Sequence, residues 1–165
     1  MSSVLTCFSS CQLCTEFQYV WLHMAIVGSA DIVKSLLSAG ASTEVYDEDG
    51  LTPLLVTVFT GRIDITKLLI SGGADVNKLA SHDYSALHHA AWDGNINAVR
   101  LLLDNGARDD DRTDDGNTPL ALAAHGGCDD LLELFIRRGC SVNNSDKSVL
   151  VKCTLSFSCY FLLNV

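Results

Sequence analysis

The sequence predicts an all-α fold built of stacked helix-turn-helix units, and three columns of residues carry that expectation. Leu54, Leu87 and Leu120 stand 33 residues apart. Gly28, Gly61, Gly94 and Gly127 keep the same step of 33, as do Gly40, Gly73, Gly106 and Gly139. Independent columns holding one period of this length mark a repeat array, in which each unit buries its apolar face against its neighbours.

The unit that starts at Thr52 shows how each copy is made. Thr52 is a helix cap and Pro53 occupies the first turn, where a missing N–H costs nothing. Gly61 ends this short apolar helix. A second helix then carries Ile65, Leu68 and Leu69 on one stripe, with Asp64 and Lys67 off it. Gly73 follows, where a left-handed residue closes the helix. Short polar stretches such as Asp47-Glu48-Asp49-Gly50 join the units as hairpin-like turns. The period places first helices over residues 19–26, 52–59, 85–92 and 118–125. It places second helices over 29–38, 62–71, 95–104 and 128–137.

The same arithmetic separates core from surface. Leu36, Leu69, Leu102 and Phe135 form one expected buried column. Leu37, Ile70, Leu103 and Ile136 form a second, and Ile32, Ile65, Ala98 and Leu131 a third. Lys34, Lys67, Arg100 and Glu133 recur on the outer stripe and read as a solvated face.

The segments DEDGLTPLLVTVFTGRIDITKLLISGGADVN, YSALHHAAWDGNINAVRLLLDNGA and DDGNTPLALAAHGGCDDLLELFIRRGCSVN carry a further likeness. Their order of turn, Thr-Pro-Leu opening, central glycine and closing Gly-Ala-Asp-Val-Asn resembles the ankyrin repeat, over about residues 17–146. The resemblance implies an ankyrin-repeat solenoid of four units, the first degenerate, between a poorly defined leader (1–16) and an apolar tail (147–165). In the first unit Trp21 takes the Leu54 column and Tyr19-Val20 replace Thr-Pro. His23 falls one residue out of register. His88 alone holds the place of the family's histidine, which in relatives bonds to the neighbouring turn; Leu55 and Ala121 stand there elsewhere.

Composition bounds the function. Hydrophobic residues make up 48% of the 165, enough for a sizeable core. The formal charge of −9 argues against nucleic-acid binding, which needs a basic face, and suits a protein partner with a basic surface. Seven cysteines, three of them at Cys7, Cys11 and Cys14, do not form a disulfide framework. The Cys11/Cys14 C-x-x-C pair lacks a second pair at zinc spacing and the βαβ context of a redox site. The first Lys or Arg is Lys34, so a secretory signal is not expected, and no uncharged apolar run reaches the ~20 residues of a membrane span. The expectation is a cytoplasmic protein, with the nucleus also open.

By resemblance, the turns and first helices line a concave groove that holds a partner. The residues in that position are Asp49, Leu51 and Phe59, then Tyr84, Trp92 and Asp93, then Asp115, Asn117 and His125. Phe59, Tyr84 and Trp92 are large aromatics where repeat packing does not require them, and such residues dominate interface energies. Asp109, Asp110, Asp111, Asp114 and Asp115 crowd one turn. That crowding reads as a solvated acidic edge, as an edge steering a basic partner, or as a calcium loop, the last lacking the D-x-D-x-D-G spacing. No nucleophile-base-acid set, phosphate loop or H-E-x-x-H stands out, so neither an enzyme nor a cofactor or metal site is expected.

Two further expectations come from the resemblance. The oxygen-sensing asparaginyl hydroxylase modifies the asparagine that closes D-V-N when a leucine lies eight residues earlier. Asn77 with Leu69 fits; Asn143 with Phe135 fits less well. In the tail, Thr154-Leu155, Cys159 and Leu163 resemble the BC box through which ankyrin proteins with a SOCS box recruit elongin C. That makes a ubiquitin-ligase adaptor the alternative to a plain binding module. A piece of a larger scaffold or channel is a third.

Overall fold

Thr52, Ser85 and Thr118 each open a helix by the same device. Their hydroxyls accept the N–H of the residue three further on: Leu55 at 3.3 Å, His88 at 3.3 Å and Ala121 at 3.2 Å. One orphan donor of the first turn is thereby satisfied. Pro53 and Pro119 follow two of these caps, their fixed φ already helical.

The computed structural model describes residues 28–140. Among these are seven α-helices: α1 (Ala30–Ser38), α2 (Pro53–Phe59), α3 (Ile63–Ser71), α4 (Ala86–Trp92), α5 (Ile96–Asp104), α6 (Pro119–Gly126) and α7 (Asp129–Arg137). The expected 33-residue step holds throughout them. Each helix starts one residue inside the expected range, because the first residue of that range is its cap. The helix expected over 19–26, with Trp21 and His23, lies outside the described residues, as do the N-terminal cysteines, Asn143 and the 147–165 tail.

The chain divides between Ala74 and Asp75 into two compact units. In the first, α3 packs against α2 and α1. In the second, α4 packs against α5 and α6, and α7 against α6. The second helices all end alike. The N–H groups of Ala41, Ala74, Ala107 and Cys140 return to the carbonyls of Leu36, Leu69, Leu102 and Phe135 at 3.0–3.1 Å. Between each pair a glycine of positive φ makes the reversal, which an L residue enters only at a cost.

Leu69, Leu102 and Phe135 are fully buried, as are Ile65, Ala98 and Leu131. Two expectations about the core need correction. Leu37, Ile70, Leu103 and Ile136 are half-buried, not buried. Each follows a core residue by one position, roughly 100° further round the helix, and so sits on the shoulder of the stripe. The third face of the stripe is instead Val33, Thr66, Val99 and Leu132, all fully buried. Ile32 is 45% exposed and Leu36 half-buried. Lys34, Lys67 and Arg100 are exposed, as the pattern requires, and Glu133 pairs with Arg137 one turn on.

Candidate functional site

The turns before α2, α4 and α6 present most of the candidate residues, and each turn is built differently. In the first, the Asp47 carboxylate accepts the N–H groups of Asp49 at 3.0 Å and Leu51 at 2.8 Å. Gly50 takes the left-handed position. In the turn before α6, Thr113 replaces Asp47 and its hydroxyl accepts Asn117 N–H at 3.2 Å, with Gly116 left-handed. These are side-chain-closed turns.

The middle turn has neither device. Ala80 offers no side-chain acceptor, and Asp83 stands where Gly50 and Gly116 stand. The backbone compensates by placing both His82 (φ 62°) and Asp83 (φ 56°) in the left-handed region. Such residues cost of order 1 kcal/mol or more each unless the surroundings hold them. The next turn supplies that hold: Asp114 N–H donates to the His82 carbonyl at 3.2 Å, and the His82 ring lies 3.3 Å from the Asp114 carboxylate. The Asp83 carboxyl in turn hydrogen-bonds Asp114, and that bond and the like charge hold its pKa above the usual carboxylate range. Asp83 at a glycine position is a sign of this difference that the sequence carries.

His88 binds the same region from below. Its Nδ1 accepts Ser85 N–H at 3.2 Å and lies 2.8 Å from the Ser85 hydroxyl. That leaves Nε2 as the donor to the Asp111 carbonyl at 3.2 Å. The bond to the neighbouring turn expected of His88 is therefore present. Burial pushes its pKa down, against a partial upward pull from Asp111. The acidic turn relieves its own charge in part. Arg108 lies 3.9 Å from Asp111, and Arg112 donates to the Gly116 carbonyl at 2.7 Å. Among the described residues no group of three or more His, Cys, Asp or Glu is arranged to hold a metal.

The aromatic candidates divide. Phe59 is 64% exposed at the end of α2, and Trp92 is 54% exposed at the end of α4. Tyr84 is half-buried and does pack: its ring lies 5.1 Å from that of His89 and 5.8 Å from that of His88. Repeat packing thus uses Tyr84, contrary to the expectation that it leaves it free. Asp49, Asp93, Asp115 and His125 are exposed, whereas Leu51 and Asn117 are half-buried with their backbones committed to turn closure. In the second unit α4 and α6 run close at these ends, since a Cβ on Gly126 would lie 3.2 Å from the Trp92 carbonyl. The sequence reading missed two exposed apolar residues at the turns, Tyr46 and Leu79. Both occupy one position of the 33-residue step, which Arg112 fills next, so the signal was the column itself.

Elsewhere in the second unit a shallow depression of about 260 Å³ is lined by Gly94, Ile96, Cys128, Asp130 and Leu131. It holds no convergent acid, base and nucleophile. Cys140 is half-buried beside Asp109, and burial pushes its thiol up to about 12. Among the described residues no helix is long and apolar enough to cross a membrane.

A family model of ankyrin repeats in three copies matches residues 21–114, and a second, of many copies, matches 102–151. The chain belongs to the ankyrin repeat family. No curated protein matches it. Ankyrin repeats generally mediate protein–protein interaction and are typically non-enzymatic.

Proposed function

We propose that this ankyrin protein is a non-enzymatic binding module or scaffold whose partner docks on the turns and first helices. The working residues are Asp49, Leu51 and Phe59 in the first unit, and Tyr84, Trp92, Asp93, Asp115, Asn117 and His125 in the second. The observation that carries this reading is Trp92. Nearly all of α4 is buried, yet its last residue is a half-exposed tryptophan followed by an exposed carboxylate. Half-exposed tryptophan leaves a large apolar area for a partner to cover. The acidic balance favours a partner with a basic surface. A cytoplasmic or nuclear compartment is part of the same proposal.

The test is titration calorimetry with a partner recovered by pull-down. Trp92→Ala should weaken binding by roughly 2 kcal/mol, about thirtyfold, and Tyr84→Ala by a comparable amount. Lys67→Ala and Arg100→Ala, on the outer stripe, should leave it unchanged. Normal binding by the aromatic variants with failure of the outer ones places the working surface on the other face.

The adaptor reading rests on Thr154, Leu155, Cys159 and Leu163, which lie outside the described residues. Capture of elongins B and C by the full chain, lost in Leu155→Ala, is its test. Asn77 is proposed as a hydroxylation site. Its amide donates to the Gly106 carbonyl at 3.1 Å and its oxygen accepts Arg108 N–H at 2.9 Å. The side chain is thus committed at both ends, and the hydroxylase must act when that turn opens. Mass spectrometry of the Asn77 peptide after co-expression with the asparaginyl hydroxylase shows an added oxygen if the proposal holds.

A further inference from the structure

We propose that the Trp92–Asp93 corner of α4 seats an arginine side chain of the partner, by stacking on the Trp92 ring and pairing with the Asp93 carboxylate. This rests on the protein-binding reading above and adds the chemistry of the group that is recognised.

Three local terms of one sign meet at this corner. The first is Asp93 itself, which caps the C-terminal end of α4. Carboxylates are disfavoured there, because the last carbonyls of a helix already carry partial negative charge. The second is that carbonyl end. The third is the Trp92 ring, whose faces are the negative part of its quadrupole and attract cations. Nothing described on the protein offsets them with an ion pair: Arg62, Arg108, Arg137 and Arg138 pair with Asp64, Asp111, Glu133 and Asp104, and His82 with Asp114. The one basic residue in the last turn of α4 is His89. Burial lowers its pKa, against the pull of Asp93, so it supplies little positive charge.

Arginine fits this set better than lysine. Its planar guanidinium stacks on an indole and still offers a donor fork to a carboxylate, whereas an ammonium is a compact, strongly hydrated point charge. A purely apolar side chain would cover Trp92 but would bury Asp93 without a partner, which costs free energy. His89, Trp92 and Asp93 lie at i, i+3 and i+4, on the face of α4 opposite its buried alanines and Leu87. Tyr84 backs His89 from the turn side. Trp92 itself remains 54% exposed.

The experiment is selection of a random displayed peptide library on the full chain, followed by affinity measurement of individual peptides. The expected result is arginine enriched over its library frequency. Selected peptides should lose about tenfold in affinity for Trp92→Ala and several-fold for Asp93→Asn. Replacing the arginine with lysine should cost about fivefold, and with uncharged citrulline more. Thermal melts establish that each variant is folded, and Arg100→Ala serves as a control. Peptides that need Trp92 but show no arginine enrichment, or tolerate citrulline, overturn the arginine seat and leave the binding-module reading standing. Peptides that bind Trp92→Ala and Tyr84→Ala as well as the unaltered chain overturn both. A library that yields no binder also counts against both.

Discussion

The hydroxyl of Thr66 lies 3.1 Å from that of Thr57, inside a core that the following repeats build from apolar side chains. Both residues are fully buried. Thr57 gives its proton to the Leu54 carbonyl at 2.9 Å, so it can only accept from Thr66. Thr66 also reaches the Arg62 carbonyl at 2.8 Å. The pair links α2 to α3, and one step of the repeat later the same two positions are Ala90 and Val99.

This arrangement predicts coupling. Replacing one threonine removes the contact between the two hydroxyls and leaves space where a side chain was, although the other keeps its own helix carbonyl, whereas Thr57→Ala with Thr66→Val restores the combination that the next repeat uses. Each single change should cost about 1 kcal/mol, and the double change less than their sum by roughly 0.5–1.5 kcal/mol. Urea denaturation of the four proteins measures this, and strict additivity would show that the hydroxyls act independently.

His88 predicts an acid-sensitive fold. The folded state lowers its pKa below the ordinary 6.5, chiefly by burial, and His89 is lowered for the same reason. Below pH 6.5 the unfolded chain binds protons that the folded chain refuses, so stability is complete above 6.5 and is lost as pH falls through the folded values. His88→Leu, which copies Leu55, should remove part of that dependence. At neutral pH it should cost roughly 1–3 kcal/mol, because the Asp111 carbonyl and the Ser85 N–H lose their partner. Denaturant midpoints between pH 4.5 and 8 decide it; an unchanged slope in the variant assigns the effect to other groups.

Gly94 and Gly61 share a conformation but not a neighbourhood. Both are left-handed, at φ +71° and +70°. A Cβ on Gly94 would meet the Cys128 sulfur at 2.8 Å, while nothing lies within 4 Å at Gly61. Gly61→Ala should therefore cost only the backbone term, about 1–2 kcal/mol. Gly94→Ala should cost more, and Cys128→Ala in that background should recover the difference. Equal losses at the two glycines, in thermal or urea melts, would falsify the steric contribution.

The two described cysteines should differ in reactivity. Thiolate is the reactive form, and Cys140 is held near 12 by burial and by Asp109. At pH 8 iodoacetamide should label Cys128 well before Cys140 in the folded chain. Peptide mapping by mass spectrometry follows both sites, and denaturant should abolish the difference.

The 33-residue step, the caps at Thr52, Ser85 and Thr118, and the buried columns at Leu69 and Ile65 were legible without coordinates. Each depends on short-range rules: a hydroxyl three residues before an N–H, a stripe at helical spacing, a glycine where the chain reverses. The position of Trp92 at a helix end and the register that isolates His88 came from the same arithmetic. Tertiary contact decided the rest. Tyr84 was set against His88 and His89 by the fold of its turn, so its exposure could not be read from its column. Asp83 and His82 took left-handed backbone because Ala80 supplies no acceptor, and Asp114, about thirty residues further on, holds them there. Ile70 and its equivalents were moved from core to shoulder by the direction in which neighbouring helices approach. A repeat period states which residues are equivalent; which of them touch depends on how side chains from different repeats meet, and that is settled only when the units pack.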